Sequence, residues 1–359
     1  MGVGRVLMTA DGVGGVWTYA LDLACGLRVH GITVTIATMG PRLSVDQHGE
    51  AARRGIDVRE GDFALEWMDD PWTDVDAAAG WLLALEDECR PDVVHLNGYC
   101  HGMLPWRAPV VVAAHSCVGS WWRGVHGRAA PSSWDTYRER VRDGLAGAAI
   151  VVAPTRAMLE ALQREYGAVA DGRVIPNGRS RPHPHPHSHD PIIFSAGRIW
   201  DQAKNIDALC RAAARLRWPV CVAGDSVRTD CQSIGGVRYL GRLSQEEMHE
   251  WFARASIYVL PARYEPFGLS VLEAASAGCA LVLGDIPSLR ENWDGAAAFV
   301  DPDNQDALVH AIDELIDQAA LRRDMAARAH ERSRGFTVER MASTYAALYE
   351  EIAALSEKT

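Results

Sequence analysis

The segment Glu265-Pro266-Phe267-Gly268-Leu269-Ser270-Val271-Leu272-Glu273 sets two carboxylates on either side of a glycine. It follows the apolar run Ile257–Pro261 and leads into good helix formers up to Ala277. A glycine where a helix begins lets a phosphate approach the unpaired N–H groups of the first turn. Phe267, Gly268, Leu269 and Ser270 are therefore expected to hold a diphosphate, mainly through their backbone. Glu273, a turn further in, suits hydrogen bonds from a ribose diol. Glu265, before the turn, would lie on the other side of the phosphates, near a sugar. Taken alone, nine residues fit equally a glycine cap between two solvated glutamates.

Two further loops carry related chemistry. Gly197-Arg198-Ile199-Trp200-Asp201-Gln202-Ala203-Lys204-Asn205 follows the strand-like Ile192–Ala196. Two cations on one strand-to-helix loop can neutralise a departing diphosphate, although two surface cations would look the same. Gly12-Val13-Gly14-Gly15 lies between the first apolar run and the first helical pattern. Glycines there permit close backbone approach to a ligand or simply a tight turn. Trp17 stands where Gly-x-Gly-x-x-Gly needs its last glycine, which disfavours a dinucleotide oxidoreductase. His115 ends the apolar run Val110–Ala114 and would face a ligand if that run is a strand. His95 sits similarly in Asp92–Leu96 and reads as a packing residue.

The elements that must position these residues alternate. Arg5–Ala10, Thr33–Thr38, Asp92–Leu96, Pro109–Ala114 and Ala148–Ala153 read as strands, separated by helical patterns such as Val16–His30, Trp81–Cys89 and Thr155–Tyr166. Apolar strands without polar alternation indicate a parallel sheet covered on both faces. The pattern breaks at residues 177–189, rich in Pro and His, which reads as a solvated linker. It then restarts with Ile192–Ala196, Ala208–Leu216, Val220–Ala223, Val237–Leu240, Gln245–Arg254, Ile257–Pro261, Leu269–Ala277 and Ala280–Leu283, and runs helical from Gln305. The expected fold is α/β: two tandem Rossmann-like, doubly wound domains, over residues 1–175 and 176–336, with an interdomain cleft. The last helix, at about 337–359, is expected to pack back on the first domain. Ligands in such sheets bind outside the carboxyl ends of the strands.

Bulk properties narrow the partners. At 359 residues the chain suits roughly two domains. A net charge of -11 argues against nucleic acid or anionic lipid as the main partner. No stretch approaches the ~18 uncharged apolar residues of a transmembrane helix. The eight cysteines form no Cys-x-x-Cys pair and read as small buried hydrophobes in a reducing compartment, so a cytoplasmic location is expected.

Together these segments resemble family 4 of the retaining glycosyltransferases, of the two-Rossmann-domain GT-B fold. The matches are Gly14-Gly15, His115, Pro176-Asn177-Gly178, Gly197-Arg198 with Lys204-Asn205, Glu265 with Glu273, and Asp285-Ile286-Pro287-Ser288-Leu289-Arg290-Glu291. The resemblance implies a nucleotide-diphosphate sugar as donor and a hydroxyl acceptor. It implies that Arg198 and Lys204 hold the diphosphate, Glu265 contacts the transferred hexose-type sugar, and Glu273 the ribose. His115 would place the sugar near the reacting carbon, and Gly14 and Gly15 would approach the diphosphate. The Arg242-Leu243 turn would meet the base through its backbone. No cofactor or metal is expected. A nucleotide-sugar epimerase and a non-catalytic nucleotide-sugar-binding protein are the alternatives.

The chain also departs from that pattern. Arg179-Ser180-Arg181 replaces the apolar residue and Asp that usually follow Pro-Asn-Gly, which puts the usual hinge geometry in doubt. His183, His185, His187 and His189 alternate as a metal-binding tract does, but a solvated extended segment explains them as well. Eight of the twelve tryptophans lie at or before position 134. Trp121, Trp122 and Arg123, on a glycine-rich stretch after His115, are the candidate acceptor contacts, since aromatic faces stack on flat ligands. With no basic amphipathic helix in evidence, a soluble acceptor is expected over a lipid.

Overall fold

The computed structural model describes residues 2–169, 171–180, 189–224 and 236–356. The chain falls into two compact units. The first comprises Met1–Arg123, Arg128–Gly178 and Val338–Thr359, the second Gly124–Gly127 and Arg179–Thr337.

The first unit runs β1 (Arg5–Asp11), α1 (Gly15–Leu27), β2 (Thr33–Met39), α2 (Val45–Arg53), β3 (Asp57–Glu60), α3 (Trp72–Cys89), β4 (Val93–Leu96), β5 (Val110–Ala113), α4 (Val118–His126), α5 (Asp135–Gly147), β6 (Ile150–Ala153), α6 (Arg156–Tyr166) and β7 (Gly172–Val174). Its strands form one sheet in the order β3-β2-β1-β4-β5-β6-β7, paired in parallel. β4, β5 and β6 are buried at every residue, as strands covered on both faces must be. The strand order reverses between β1 and β4. The end of β1 leads into the glycine loop, and the end of β4 into Asn97.

The second unit runs β8 (Asp190–Ala196), α7 (Ile206–Ala212), β9 (Val220–Ala223), β10 (Val237–Gly241), α8 (Gln245–Arg254), β11 (Ala255–Leu260), α9 (Leu269–Ser276), β12 (Ala280–Gly284), α10 (Pro287–Trp293), β13 (Ala298–Val300), α11 (Gln305–Asp317) and α12 (Ala319–Ser333). Its sheet is again parallel, in the order β10-β9-β8-β11-β12-β13, and reverses between β8 and β11. Two parallel doubly wound sheets in one chain are the GT-B arrangement anticipated from the sequence.

The last helix, α13 (Val338–Ser356), belongs to the first unit and packs along α1. Gly26 makes the approach possible: a Cβ there would lie 2.6 Å from the Cβ of Ala342 and 2.9 Å from Cγ1 of Val338. Tyr345 and Tyr349 of α13 are fully buried in the same core as Tyr19 and Leu23.

The stretch from Gln305 is helical, as expected, in three helices, α11, α12 and α13. It breaks at Gln318, whose ψ of 78° leaves the helical region, and again at Gly335–Thr337. Trp121, Trp122 and Arg123 lie on α4, whose sequence is the glycine-rich stretch. Residues 177–179, read as the start of a solvated linker, are buried. Of that linker, residues 181–188 lie outside the described residues, with His183, His185 and His187; so does Cys231. The described cysteines are free thiols, five of them buried.

Candidate active site

The second unit gathers its charged residues where the sheet order reverses, outside the carboxyl ends of β8 and β11. After β8 the chain turns through Gly197 and Arg198 to Lys204 and Asn205, then enters α7. After β11 it passes through Arg263 and Glu265 to Gly268, whose φ of 88° only glycine adopts freely, and enters α9. The two loops are tied together. The N–H of Arg263 donates to the carbonyl of Ala203 at 2.8 Å. The Asn205 amide donates to the carbonyls of Pro261 (3.0 Å) and Pro302 (2.8 Å) and accepts from Arg263 (2.7 Å).

Among the described residues, each cation of this group is paired with a carboxylate. Lys204 Nζ donates to Oε2 of Glu265, both largely buried. The other oxygen of Glu265, Oε1, accepts from the N–H of Gly268 at 3.0 Å. Arg198 donates to Oδ2 of Asp201 at 2.7 Å and stacks over the Trp200 ring at 5.5 Å. Its buried Nε–H has no hydrogen-bond partner among the described residues. Burial alone would raise the Asp201 pKa, but the Arg198 charge and hydrogen bond and the Ala203 N–H bring it below the usual value, so it stays a carboxylate. Arg179 donates to Glu273 through both Nε (2.8 Å) and a terminal nitrogen.

The start of α9 differs in detail from expectation. The Gly268 N–H is not free for a phosphate, because Glu265 takes it. Phe267 is buried with its ring 5.6 Å from that of Phe336, and its carbonyl accepts from Asn292 at 3.4 Å. Leu269 and Ser270 keep first-turn N–H groups that no carbonyl one turn back can bond. The Ser270 hydroxyl is 2.8 Å from that of Tyr258, which donates to the Ala196 carbonyl at 3.2 Å and so pins β8, β11 and α9 together. Arg242 is exposed and Leu243 half-buried after Gly241, whose carbonyl accepts from the Gly224 N–H at 2.9 Å.

The first unit places His115 beside a polar chain at the ends of β4 and β5. Its Nε2 lies 2.7 Å from Oδ1 of Asn97. The Asn97 amide nitrogen donates to the carbonyl of Thr9 at 2.6 Å, so its oxygen is the atom facing the histidines. His115 therefore carries its proton on Nε2 and leaves Nδ1 as an acceptor. His95, 3.2 Å from the same oxygen, has its Nδ1 2.6 Å from the hydroxyl of Tyr349 on α13. Burial lowers the pKa of His115 to about 4 and, with the His115 charge, that of His95 to about 3, so both are neutral at physiological pH. His95 packs as expected, fully buried against the rings of Tyr19, Tyr345 and Tyr349, and also joins this hydrogen-bonded chain. Gly14, with φ 80°, and Gly15 are exposed at the start of α1.

On α4, Trp121 and Trp122 are half-buried with rings 5.9 Å apart, and Arg123 is bonded to Glu165 of α6 at 2.5 Å. Among the described residues no cluster of three or more His, Cys, Asp or Glu is placed to hold a metal ion, and no helix is long and apolar enough to cross a membrane. Asn97 and Asp201 were not singled out by sequence, whereas Asn205 entered within the Lys204-Asn205 match and Arg179 as a departure from the family pattern. Asn97 carried a signal, as a polar residue just past a buried strand.

Known proteins resemble this chain in sequence and in fold. The model of glycosyltransferase family 4 matches residues 13–180, and that of glycosyl transferases group 1 matches residues 179–332. The O-antigen chain mannosyltransferase B of Escherichia coli is 33% identical over 132 residues, 32% of this chain and 35% of that protein. Such alignments span about a third of the length of the curated relatives that the chain matches. Sucrose-phosphate synthase from Thermosynechococcus elongatus superposes with a TM-score of 0.82 at 18% identity, covering 98% of this chain and 99% of that one. Anabaena Alr3699/HepE, solved in complex with UDP-glucose, does so with 0.74 at 16% identity, covering 96% and 98%. The two family matches run in order along the chain, over two sheets of the kind these structures share, and the chain belongs to glycosyltransferase family 4, with the GT-B fold.

Proposed function

We propose that the chain transfers a hexose-type sugar from a nucleoside-diphosphate sugar to an acceptor hydroxyl, with retention of anomeric configuration and without a metal. The observation that carries this reading is the Lys204–Glu265–Gly268 linkage, which joins a cation, a carboxylate and a helix start where β8 and β11 end. Arg198 and Lys204 would take the charge of the departing diphosphate, with the α9 N–H groups of Leu269 and Ser270. Glu265 is already bonded to Lys204 and Gly268, which suits it to orient sugar hydroxyls better than to attack carbon. Glu273 would accept from the ribose. His115, neutral and with Nδ1 as an acceptor, would receive a hydrogen bond from a sugar hydroxyl.

In this reaction the bond from the anomeric carbon to the phosphate oxygen breaks. The acceptor oxygen bonds to that carbon from the same face, and its proton passes to a phosphate oxygen. Charge stabilisation of the leaving group and of an oxocarbenium-like state would supply most of the acceleration. The acceptor would bind the first unit, near Trp121 and Trp122, and is proposed to be a soluble saccharide or small molecule.

The test is to incubate the protein with UDP-, GDP- and ADP-hexoses, with soluble saccharides in one arm and lipid-linked acceptors in vesicles in another. Nucleoside diphosphate release that depends on an acceptor, with an α-linked product from an α-linked donor by NMR, is expected. An inverted product would overturn retention. A change in the donor sugar without acceptor would mark an epimerase, and binding without turnover would mark a non-catalytic protein.

A further inference from the structure

Arg179 stands where the chain enters the second unit, and its side chain is 7% exposed. A guanidinium buried to that degree needs a partner. It has one in Glu273, 94 positions away in sequence. The geometry is uneven: Nε and a terminal nitrogen both donate to Oε1 of Glu273, whereas Oε2 accepts from none of the described residues. The backbone of Arg179 is held as well, its N–H donating to the carbonyl of Phe336 at 3.2 Å. The fork is thus fixed at both ends, and a planar fork loses less freedom on binding a carboxylate than an ammonium does.

We propose that Arg179 is a positioning residue for nucleotide recognition: it holds Glu273 turned so that Oε2 is presented to the ribose of a nucleoside diphosphate. The inference rests on the reading of Glu273 as the ribose contact. Two N–H groups saturate Oε1, so the diol must be recognised through Oε2. A carboxylate with one oxygen already engaged cannot rotate away without breaking two charge-assisted bonds. The site therefore pays its ordering cost on folding, before nucleotide arrives.

The experiment measures binding of UDP, GDP and ADP, and of their 2′,3′-dideoxyribose counterparts, by calorimetry on the full chain. For whichever base binds, wild type is expected to prefer ribose by at least about tenfold, the scale of a charge-assisted hydrogen bond. Arg179→Met is expected to cut that preference to under about threefold while leaving dideoxy affinity within about twofold. Arg179→Lys keeps the charge without the fork and is expected to fall between the two. Equal weakening of ribose and dideoxy ligands, or an unchanged preference in Arg179→Met, would overturn the proposal. If Arg179→Met does not fold, Arg179→Lys decides alone, and full ribose preference in it overturns the role of the fork. Glu273→Gln separates the two levels. If it leaves ribose preference intact, the ribose reading of Glu273 fails. If it abolishes the preference while the Arg179 variants do not, only the role of Arg179 fails.

Discussion

Lys204 and Glu265 form a largely buried ion pair between the loops that leave β8 and β11, the two strands at which the second sheet reverses its order. The pair is itself anchored, since Glu265 also accepts from the Gly268 N–H at 3.0 Å and its carbonyl accepts from Ser288 at 2.5 Å. An ammonium has three donors and this contact uses one. Lys204 can therefore bind an oxyanion without releasing Glu265.

Arg198 and Lys204 are the cations best placed to offset a developing diphosphate charge. Arg198→Ala and Lys204→Ala are each expected to lower kcat/KM by about 10²–10³-fold, or ~2.7–4 kcal/mol, as when a preorganised donor is lost from a site. Steady-state kinetics with the identified donor checks this. If both variants stay within about threefold of wild type, the two residues do not carry the transition-state charge.

Asn97 fixes which nitrogen of His115 carries the proton. Nitrogen-15 NMR of the neutral protein is expected to show His115 as the Nε2–H tautomer, and an Nδ1–H form would contradict the assignment. Asn97→Leu removes the acceptor and is expected to cost at least about tenfold in kcat/KM, about one hydrogen bond. Asn97→Asp sets a carboxylate 2.7 Å from Nε2 and is expected to raise the His115 pKa from about 4 by at least ~1 unit, adding an acid limb to the pH–rate profile.

Both sheets were legible because their central strands are unbroken apolar runs between helical patterns, and the site loops because their glycines and charges sit at strand ends. The edges were not. Asp57–Glu60 and Gly172–Val174 are short and carry charges, as edge strands do, and nothing in their pattern separates them from loops. Arg179 lay in a stretch with no apolar periodicity. Its guanidinium is paired with Glu273, 94 positions away, just as Asn97 is oriented by Thr9, 88 positions away. Local pattern cannot report pairings at that range. The sequence also read the α9 N-terminus as open, because a carboxylate three residues before a glycine gives no sign of folding back onto its N–H.

His95 ties acid stability to the first unit. Its folded pKa of about 3 lies below the unfolded value near 6.5, so the unfolded chain binds the proton first as pH falls. Stability is fully present above pH 6.5 and is lost as pH falls toward 3, by up to about 1.4 kcal/mol per pH unit for this one group. Urea midpoints between pH 7 and 4.5 are expected to fall accordingly, and less steeply in His95→Gln, which still bonds but does not titrate. Equal slopes for the two proteins would show that His95 is not the group responsible.

Asn205 separates strain from bonding in the Lys204 loop. Its φ of 53° is left-handed, a conformation asparagine tolerates and alanine resists by about 1–2 kcal/mol. Its side chain also bonds the carbonyls of Pro261 and Pro302 and takes a hydrogen bond from Arg263. Asn205→Gly removes only the bonds and is expected to cost about 1–3 kcal/mol, the range for leaving buried polar groups unpaired. Asn205→Ala removes the bonds and restores the backbone penalty, so it should be less stable than Asn205→Gly by a further ~1 kcal/mol. Denaturant unfolding of the two variants gives that difference directly, and equal stabilities would mean the loop can relax out of the left-handed region. Because Asn205 follows Lys204 and bonds the carbonyl of Pro261 at the end of β11, both variants should also raise KM for the donor more than they lower kcat. The cation would still be present, but no longer held at a fixed distance from Glu265.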